Sequence, residues 1–190
     1  NILARYPSPP PVGIIPAGTS NDFATNLGLP DFEEVLPRMD FKHSLPVDLG
    51  HIGDRYFINV ASGGLLTDIA HKVDQRLKNN LGIIAYYLHG LAELPNIRAV
   101  PAEIQMEGKT IFSGDMFLYV ILNGQSAGSF KKLAPDASLN DGLLDLLVFK
   151  RCSVPDFLNL AVKVLSGKHI HDPNILYVQG STFDIKSDVA

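Results

Sequence analysis

Residues 13–30 read GIIPAGTSNDFATNLGLP: an apolar run stops at Pro16 and Gly18, and Thr19, Ser20, Asn21 and Asp22 gather before a helical pattern begins. A turn between the carboxyl end of a strand and the amino end of a helix presents unpaired N–H groups and a partial positive dipole, which suits a phosphate. Gly18 would let a ligand approach closely, the Thr19 hydroxyl can donate to a phosphate oxygen, and Asn21 can bond the neighbouring backbone or the ligand. Asp22 has the wrong sign for direct contact and would act through Mg²⁺. An ordinary helix start uses the same residue types, with Ser20 or Asn21 as the cap and Asp22 complementing the dipole. Local chemistry leaves both readings open.

A second oxygen-rich stretch, PDASLNDGL at residues 135–143, crowds Asp136, Ser138, Asn140 and Asp141 into a turn ahead of an apolar run. Such a loop can bind a hard divalent cation through carboxylate, backbone carbonyls and water; it can equally be an Asn-Asp-Gly turn feeding a strand. An EF-hand is disfavoured, because the spacing lacks the terminal bidentate Glu and the flanking helix pair. His169 and His171 stand two apart without a third ligand nearby and read as a solvated loop. Lys131 and Lys132, after the Gly-rich stretch 123–128, read as solvated charges, with a lipid headgroup or phosphate as the alternative partner. Cys152 has no base or electropositive helix end beside it in sequence and reads as a small structural residue.

The elements that must position these groups follow from periodicity. Val12–Ile15 reads as a short strand and Asp22–Leu27 as a helix that Gly28 and Pro30 stop. A second helix over Asp31–Met39 would put Phe32, Val35, Leu36 and Met39 on one face, with Pro37 weakening it. Short β-prone runs follow at Ser44–Gly50, Arg55–Ala61, Ala102–Met106, Thr110–Ser113, Met116–Asn123 and Leu143–Phe149. Two helices interrupt them. Leu81–Leu94 aligns Ile84, Tyr87, Leu88, Leu91 and Leu94, a stripe expected to pack in its own domain rather than meet an acyl chain; Val154–Leu165 aligns Phe157, Leu158, Ala161 and Leu165. The pattern predicts an α+β chain, with an antiparallel β-sandwich from about Leu45 preceded by the last βα unit of an α/β domain.

The 190 residues, 46% hydrophobic with a net charge of −4, suit one or two folded units with real cores. Lys and Arg number 16 against 20 Asp and Glu, which gives no broad positive field and argues against nucleic acid as a partner. One cysteine and no apolar stretch of roughly 20 residues favour a reducing, cytoplasmic setting. Position 1 is Asn, and the residues to Pro11 lack the order of a signal peptide, so the sequence reads as a fragment of a longer protein.

The full string PAGTSNDFATNLGLP resembles the GT-x-NDFA segment of bacterial diacylglycerol kinase-like lipid kinases, a family related to sphingosine and ceramide kinases. VDLGHIGDRYFINVASGG at 47–64 is similar to that family's first sandwich strands, LGIIAYYLHGL to a following helix, and PDASLNDGLLDLLVF at 135–149 to its later loop and strand. These segments run across nearly the whole chain in the family's order.

The resemblance implies ATP- and Mg²⁺-dependent transfer of a phosphoryl group to a lipid hydroxyl, in a site between a nucleotide-binding domain and a β-sandwich. Residues 1–44 would then be the remnant of the first domain and 45–190 most of the second. By matching position Thr19 would contact the nucleotide, and Asn21 and Asp22 would lie beside its phosphates, with Asp22 organising a catalytic Mg²⁺. The family's structural Mg²⁺ loop maps to the Asp141 carboxylate and the carbonyls of Ser138 and Leu143, with Asp136 contributing through water.

The implied partners are diacylglycerol or a related membrane lipid and, transiently, the inner face of the membrane; a homodimer stays open. The family's GGDGT loop is expected before Asn1 and its DGE segment, with the catalytic base, after Ala190, so these residues alone are expected to be inactive. A NAD kinase-like enzyme and a non-catalytic lipid- or protein-binding module are the alternatives.

Overall fold

The computed structural model describes residues 3–38, 43–64 and 99–187. The chain forms a mixed α+β fold dominated by antiparallel sheet, and it divides into two compact units: Asn1–Ala61 with Leu122–Asp145, and Ser62–Ile121 with Leu146–Ala190.

In the first unit, α1 (Asp22–Asn26) and α2 (Phe32–Arg38) come first. Helix α1 ends where the sequence stops it: Gly28 takes φ +67 and the Leu29 N–H returns to the Ala24 carbonyl at 3.0 Å. Of the face expected on α2, Val35 is buried and Phe32 and Leu36 are about half exposed, while Met39 lies outside the described residues. The expected strand Val12–Ile15 has no ladder partner among the described residues, and an extended run without a partner is not a strand. For the same reason 44–49 joins no ladder among the described residues, and strand pairing begins at β1 (Gly50–Ile52), which forms a hairpin with β2 (Arg55–Phe57), Gly50 opposite Phe57.

The second unit is built on a six-stranded sheet of order β7-β6-β5-β4-β8, with β3 (Val60–Gly64) also pairing β5. Strand β4 (Val100–Met106) buries Val100, Ala102 and Ile104 at alternate positions, as a strand with one face on a core must. It turns at Glu107-Gly108, both at positive φ, into β5 (Lys109–Leu122) in an antiparallel pair. The two strands expected over 110–123 are thus one 14-residue strand, because Gly114 and Asp115 keep their ladder partners Ala102 and Pro101. Strand β3 lies so close to β5 that a Cβ on Gly64, at φ +110, would come 2.6 Å from the Phe117 carbonyl.

Strand β6 (Leu144–Lys150) is buried at five consecutive positions, Asp145 to Phe149, the mark of a strand covered on both faces. Strands β7 (Ile175–Gly180) and β8 (Phe183–Ser187) complete the sheet, β8 antiparallel to β4 with Ile104 opposite Ile185.

Helix α3 (Val154–Leu165) starts on Ser153, whose hydroxyl accepts from the Asp156 N–H at 3.3 Å. Phe157 meets Phe117 of β5 edge to face at 5.4 Å, and Leu160 is fully buried. Leu158 and Leu165, expected on the packed stripe, are exposed. With Val154, Val162 and Val164 also apolar, most of the helix circumference is hydrophobic, so periodicity alone does not pick the packed face. The expected helix Leu81–Leu94 lies outside the described residues.

Candidate functional site

The polar break at 16–22 folds as a closed turn. Asn21 stands at the N-cap position of α1 in the left-handed region, φ 49 and ψ 32, and its side chain caps nothing. Instead its Oδ1 accepts the Gly18 N–H at 2.8 Å and its Nδ2 donates to the Pro16 carbonyl at 3.4 Å. The ordinary-cap alternative is therefore not what the residues do. The Gly18 N–H is taken by Asn21, and a Cβ there would sit 3.1 Å from Asn21 Oδ1. With five residues, α1 also supplies little of a helix dipole. What the turn does present is Thr19, exposed, with a hydroxyl that no described residue engages.

Asp22 and Ser20 tie this turn to a second one more than a hundred residues on. The Asp22 carboxylate accepts the Gly128 N–H on Oδ2 and the Ser129 N–H on Oδ1, both at 2.9 Å, and Ser129 Oγ meets Ser20 Oγ at 2.8 Å. Ala127 and Phe130 exchange backbone hydrogen bonds across Gly128 at φ 59 and Ser129 at φ 69, a tight turn with both central residues left-handed. For Ser129 this conformation is strained.

Behind the two turns lies a network of uncharged polar groups. Asn26 Oδ1 accepts the Ser126 N–H at 2.8 Å, while Asn26 Nδ2 donates to Asn59 Oδ1 at 2.9 Å and reaches the Ser126 carbonyl at 3.3 Å. Asn59 Nδ2 donates to the same carbonyl at 3.2 Å. Fully buried Asn123 donates through Nδ2 to the carbonyls of Asp48 at 2.7 Å and Ile58 at 3.0 Å, and its Oδ1 is a buried acceptor with no partner among the described residues. Gly124 makes room for this: a Cβ there would lie 2.5 Å from Asn26 Nδ2. Sequence reading missed Asn26, Asn59, Asn123 and Ser126; for the three asparagines the one visible signal was an amide beside an apolar run.

The loop 135–143 belongs to the same unit. Asp141 Oδ1 accepts the Leu143 N–H at 3.0 Å, so the turn reading of this loop is realised, and its other oxygen meets no described residue. Asp48, also missed, reaches across: its Oδ2 accepts the Gly142 N–H at 2.8 Å and its own N–H donates to the Leu139 carbonyl at 2.7 Å. Among the described residues no three His, Cys, Asp or Glu side chains form a metal cage. A single Asp141 carboxylate with the Ser138 and Leu143 carbonyls is nonetheless an all-oxygen donor set, which fits a hard, largely hydrated ion such as Mg²⁺.

Lys131 and Lys132 directly follow the Ala127–Phe130 turn, and the Lys131 carbonyl accepts the Ser126 hydroxyl at 3.1 Å. Both lysines are exposed. Cys152 is half-buried, and burial, with Asp156 and Asp172 nearby, raises its pKa, which opposes a reactive thiolate. His169 overturns the solvated-loop expectation: it is fully buried in the short 3₁₀ turn His169–His171, while His171 is exposed. The turn is folded under by Asp172, whose carboxylate meets Lys163 of α3 at 2.6 Å and the Asn174 N–H at 2.9 Å. No helix among the described residues is long and apolar enough to cross a membrane.

Residues 1–52 match the family described as "Diacylglycerol kinase catalytic domain", and residues 59–190 match "YegS C-terminal NAD kinase beta sandwich-like domain". The chain is 41% identical over 184 residues to a diacylglycerol kinase of Bacillus subtilis (strain 168), covering 95% of this chain and 60% of that protein. It is 34% identical to one from Staphylococcus carnosus (strain TM300), covering 98% and 61%. A crystal structure of a diacylglycerol kinase from Bacillus anthracis str. Sterne superposes with a TM-score of 0.76 at 27% identity, covering 98% of this chain and 61% of that one. The chain thus spans about three fifths of the length of the curated relatives it matches.

Proposed function

The chain belongs to the bacterial diacylglycerol kinase-like lipid kinases, and on that premise we propose that the whole protein transfers the γ-phosphate of ATP to a hydroxyl of diacylglycerol or a related membrane lipid, with Mg²⁺. In the transfer the lipid oxygen bonds to the γ-phosphorus, the bond to the β–γ bridging oxygen breaks to leave ADP, and the hydroxyl proton passes to a base. Little covalent work falls to the protein in such a step; it positions groups and offsets charge.

The observation that carries this reading is Thr19, whose exposed hydroxyl is left unengaged on a turn that Asn21, Ser20 and Asp22 fix from three sides. In the proposed role Thr19 donates to a phosphate oxygen, and Asn21 and Asp22 lie beside the phosphates as parts of the turn. Both Asp22 oxygens already accept an N–H, so Mg²⁺ would meet only their remaining lone pairs, directly or through water. Asp141 with the Ser138 and Leu143 carbonyls would hold a structural Mg²⁺, which when bound supplies charge neutralisation and rigidity to the loop.

The matches to 1–52 and 59–190 support a nucleotide-domain remnant over 1–44 and a β-sandwich over 45–190. Action on a bilayer-held lipid calls for transient contact with the cytoplasmic face of the membrane. The test is a radiolabelled ATP assay of the whole protein against a panel of lipids and NAD. Labelled diacylglycerol is the expected result; labelled NAD with no labelled lipid would overturn it.

A further inference from the structure

Two of the described non-glycine residues held at positive φ, Asn21 and Ser129, are joined by one side chain, because Asp22 follows Asn21 and its carboxylate takes the N–H groups of Gly128 and Ser129. We propose that Asp22 is a positioning residue: its carboxylate holds the Ala127–Phe130 turn in its left-handed form and so sets the Ser129 hydroxyl against Ser20, beside Thr19. This rests on reading the Thr19 turn as a phosphate site.

A left-handed Ser is disfavoured by contact between its Cβ and the backbone, and such strain persists only where surrounding bonds over-determine it. Here the over-determination is specific. One carboxylate oxygen serves each of two adjacent N–H groups, a fit that a side chain with two acceptor oxygens provides. The hydroxyl pair at 2.8 Å then fixes the side chain of the strained residue as the carboxylate fixes its backbone. A ligand bound at Thr19 would therefore meet a wall made by residues from both turns, and loss of Asp22 would loosen that wall even with no metal bound.

The prediction separates this role from metal ligation. In Asp22→Asn the amide offers one acceptor and points its NH₂ at the other N–H, so one bond is lost and two donors face each other. Ser129→Gly removes the steric cost of φ 69, so the turn can close without help from residue 22. The experiment is performed on the full-length protein in EDTA without nucleotide, reading amide hydrogen exchange at residues 128 and 129. Asp22→Asn is expected to speed that exchange about tenfold, and adding Ser129→Gly to recover most of it.

In the lipid kinase assay the same second substitution should restore part of the kcat/KM that Asp22→Asn loses, with the Mg²⁺ concentration for half-activation equal in the single and double variants. Exchange that ignores Asp22→Asn, or a defect that Ser129→Gly leaves intact while the Mg²⁺ requirement rises, overturns the proposal. If no lipid is phosphorylated, the kinase reading alone fails, and the exchange measurement still decides the clamp.

Discussion

Substituting Gly124 by Ala tests whether the amide network holds the loops of the candidate site. Gly124 is buried and its φ lies outside the left-handed range, so with free space the methyl would stabilise the chain by about 0.4–1 kcal/mol through the unfolded state. Space is not free. The new Cβ would stand 2.5 Å from Asn26 Nδ2, 2.8 Å from its Cγ and 3.1 Å from a Leu139 methyl, so the Asn26 carboxamide must move by roughly 1 Å to restore ordinary contact.

Asn26 makes bonds of 2.8, 2.9 and 3.3 Å to Ser126 and Asn59, and a shift of that size breaks at least two. At about 1 kcal/mol each, with a buried donor or acceptor stranded, the local cost is about 2–3 kcal/mol. The assay is hydrogen exchange at the Ser126 amide, whose N–H goes to Asn26 Oδ1; the rate should rise roughly 30- to 150-fold. In an Asn26→Ala background the methyl has room and the same substitution should cost far less. Exchange at Ser126 that is unchanged or slower in Gly124→Ala would refute the network as the element holding these loops.

Thr19→Val keeps the shape of a side chain that bonds no described residue, so the fold should be untouched, while kcat/KM for ATP falls roughly 10- to 150-fold if a charged phosphate loses its donor; an unchanged value removes Thr19 from the site. Asp141→Asn keeps an acceptor for the Leu143 N–H and loses the charge, so the Mg²⁺ concentration for half-maximal activity should rise roughly tenfold or more; an equal requirement would clear the loop of metal.

Lys163→Met strands the Asp172 carboxylate, only 4% exposed, at a cost of about 3 kcal/mol, seen as a lower Tm at pH 7. Burial alone would raise the Asp172 pKa, but the Lys163 and Asn174 hydrogen bonds hold it below the ordinary range. A lowered folded pKa means the pair's contribution is present above the ordinary carboxylate value of about 3.9 and is lost as pH falls through the folded value. The Tm gap between wild type and Lys163→Met should therefore close on acidification below that window, and a constant gap would show that the ion pair is not its source.

What the sequence made legible was local: α1 and its stop at Gly28, the helix α3, the runs that form β4 and β6, and the polar string from Thr19 to Asp22. Each is decided within a few residues by caps, turns or alternation. What it hid depends on partners distant in the chain. Val12–Ile15 has the composition of a strand and no ladder. Asp22 looks like a cap or a metal ligand until Gly128 and Ser129 arrive from a hundred residues away. Asn26, Asn59 and Asn123 carry no charge and no motif, so nothing local separates them from surface amides. Strands β7 and β8 were missed although Ile175–Gly180 and Phe183–Ser187 flank a Gly-Ser turn that sequence rules do recognise.

The amide network also has a chemical lifetime. Asn123 precedes Gly124, and asparagine before glycine is the pairing whose carboxamide the next backbone nitrogen most readily attacks to lose ammonia. Here the carboxamide nitrogen is tethered to two carbonyls in a fully buried position, which keeps it from turning toward that nitrogen. Deamidation at 123 therefore requires the first unit to open, and each event leaves a permanent mark. Mass spectrometry of aged protein should find residue 123 intact while exposed asparagines convert, and Gly124→Ala should not be the only variant to shift that balance: Asn26→Ala, by loosening the same loops, should hasten it. Early conversion at 123 in folded wild-type protein would show that the tether does not hold.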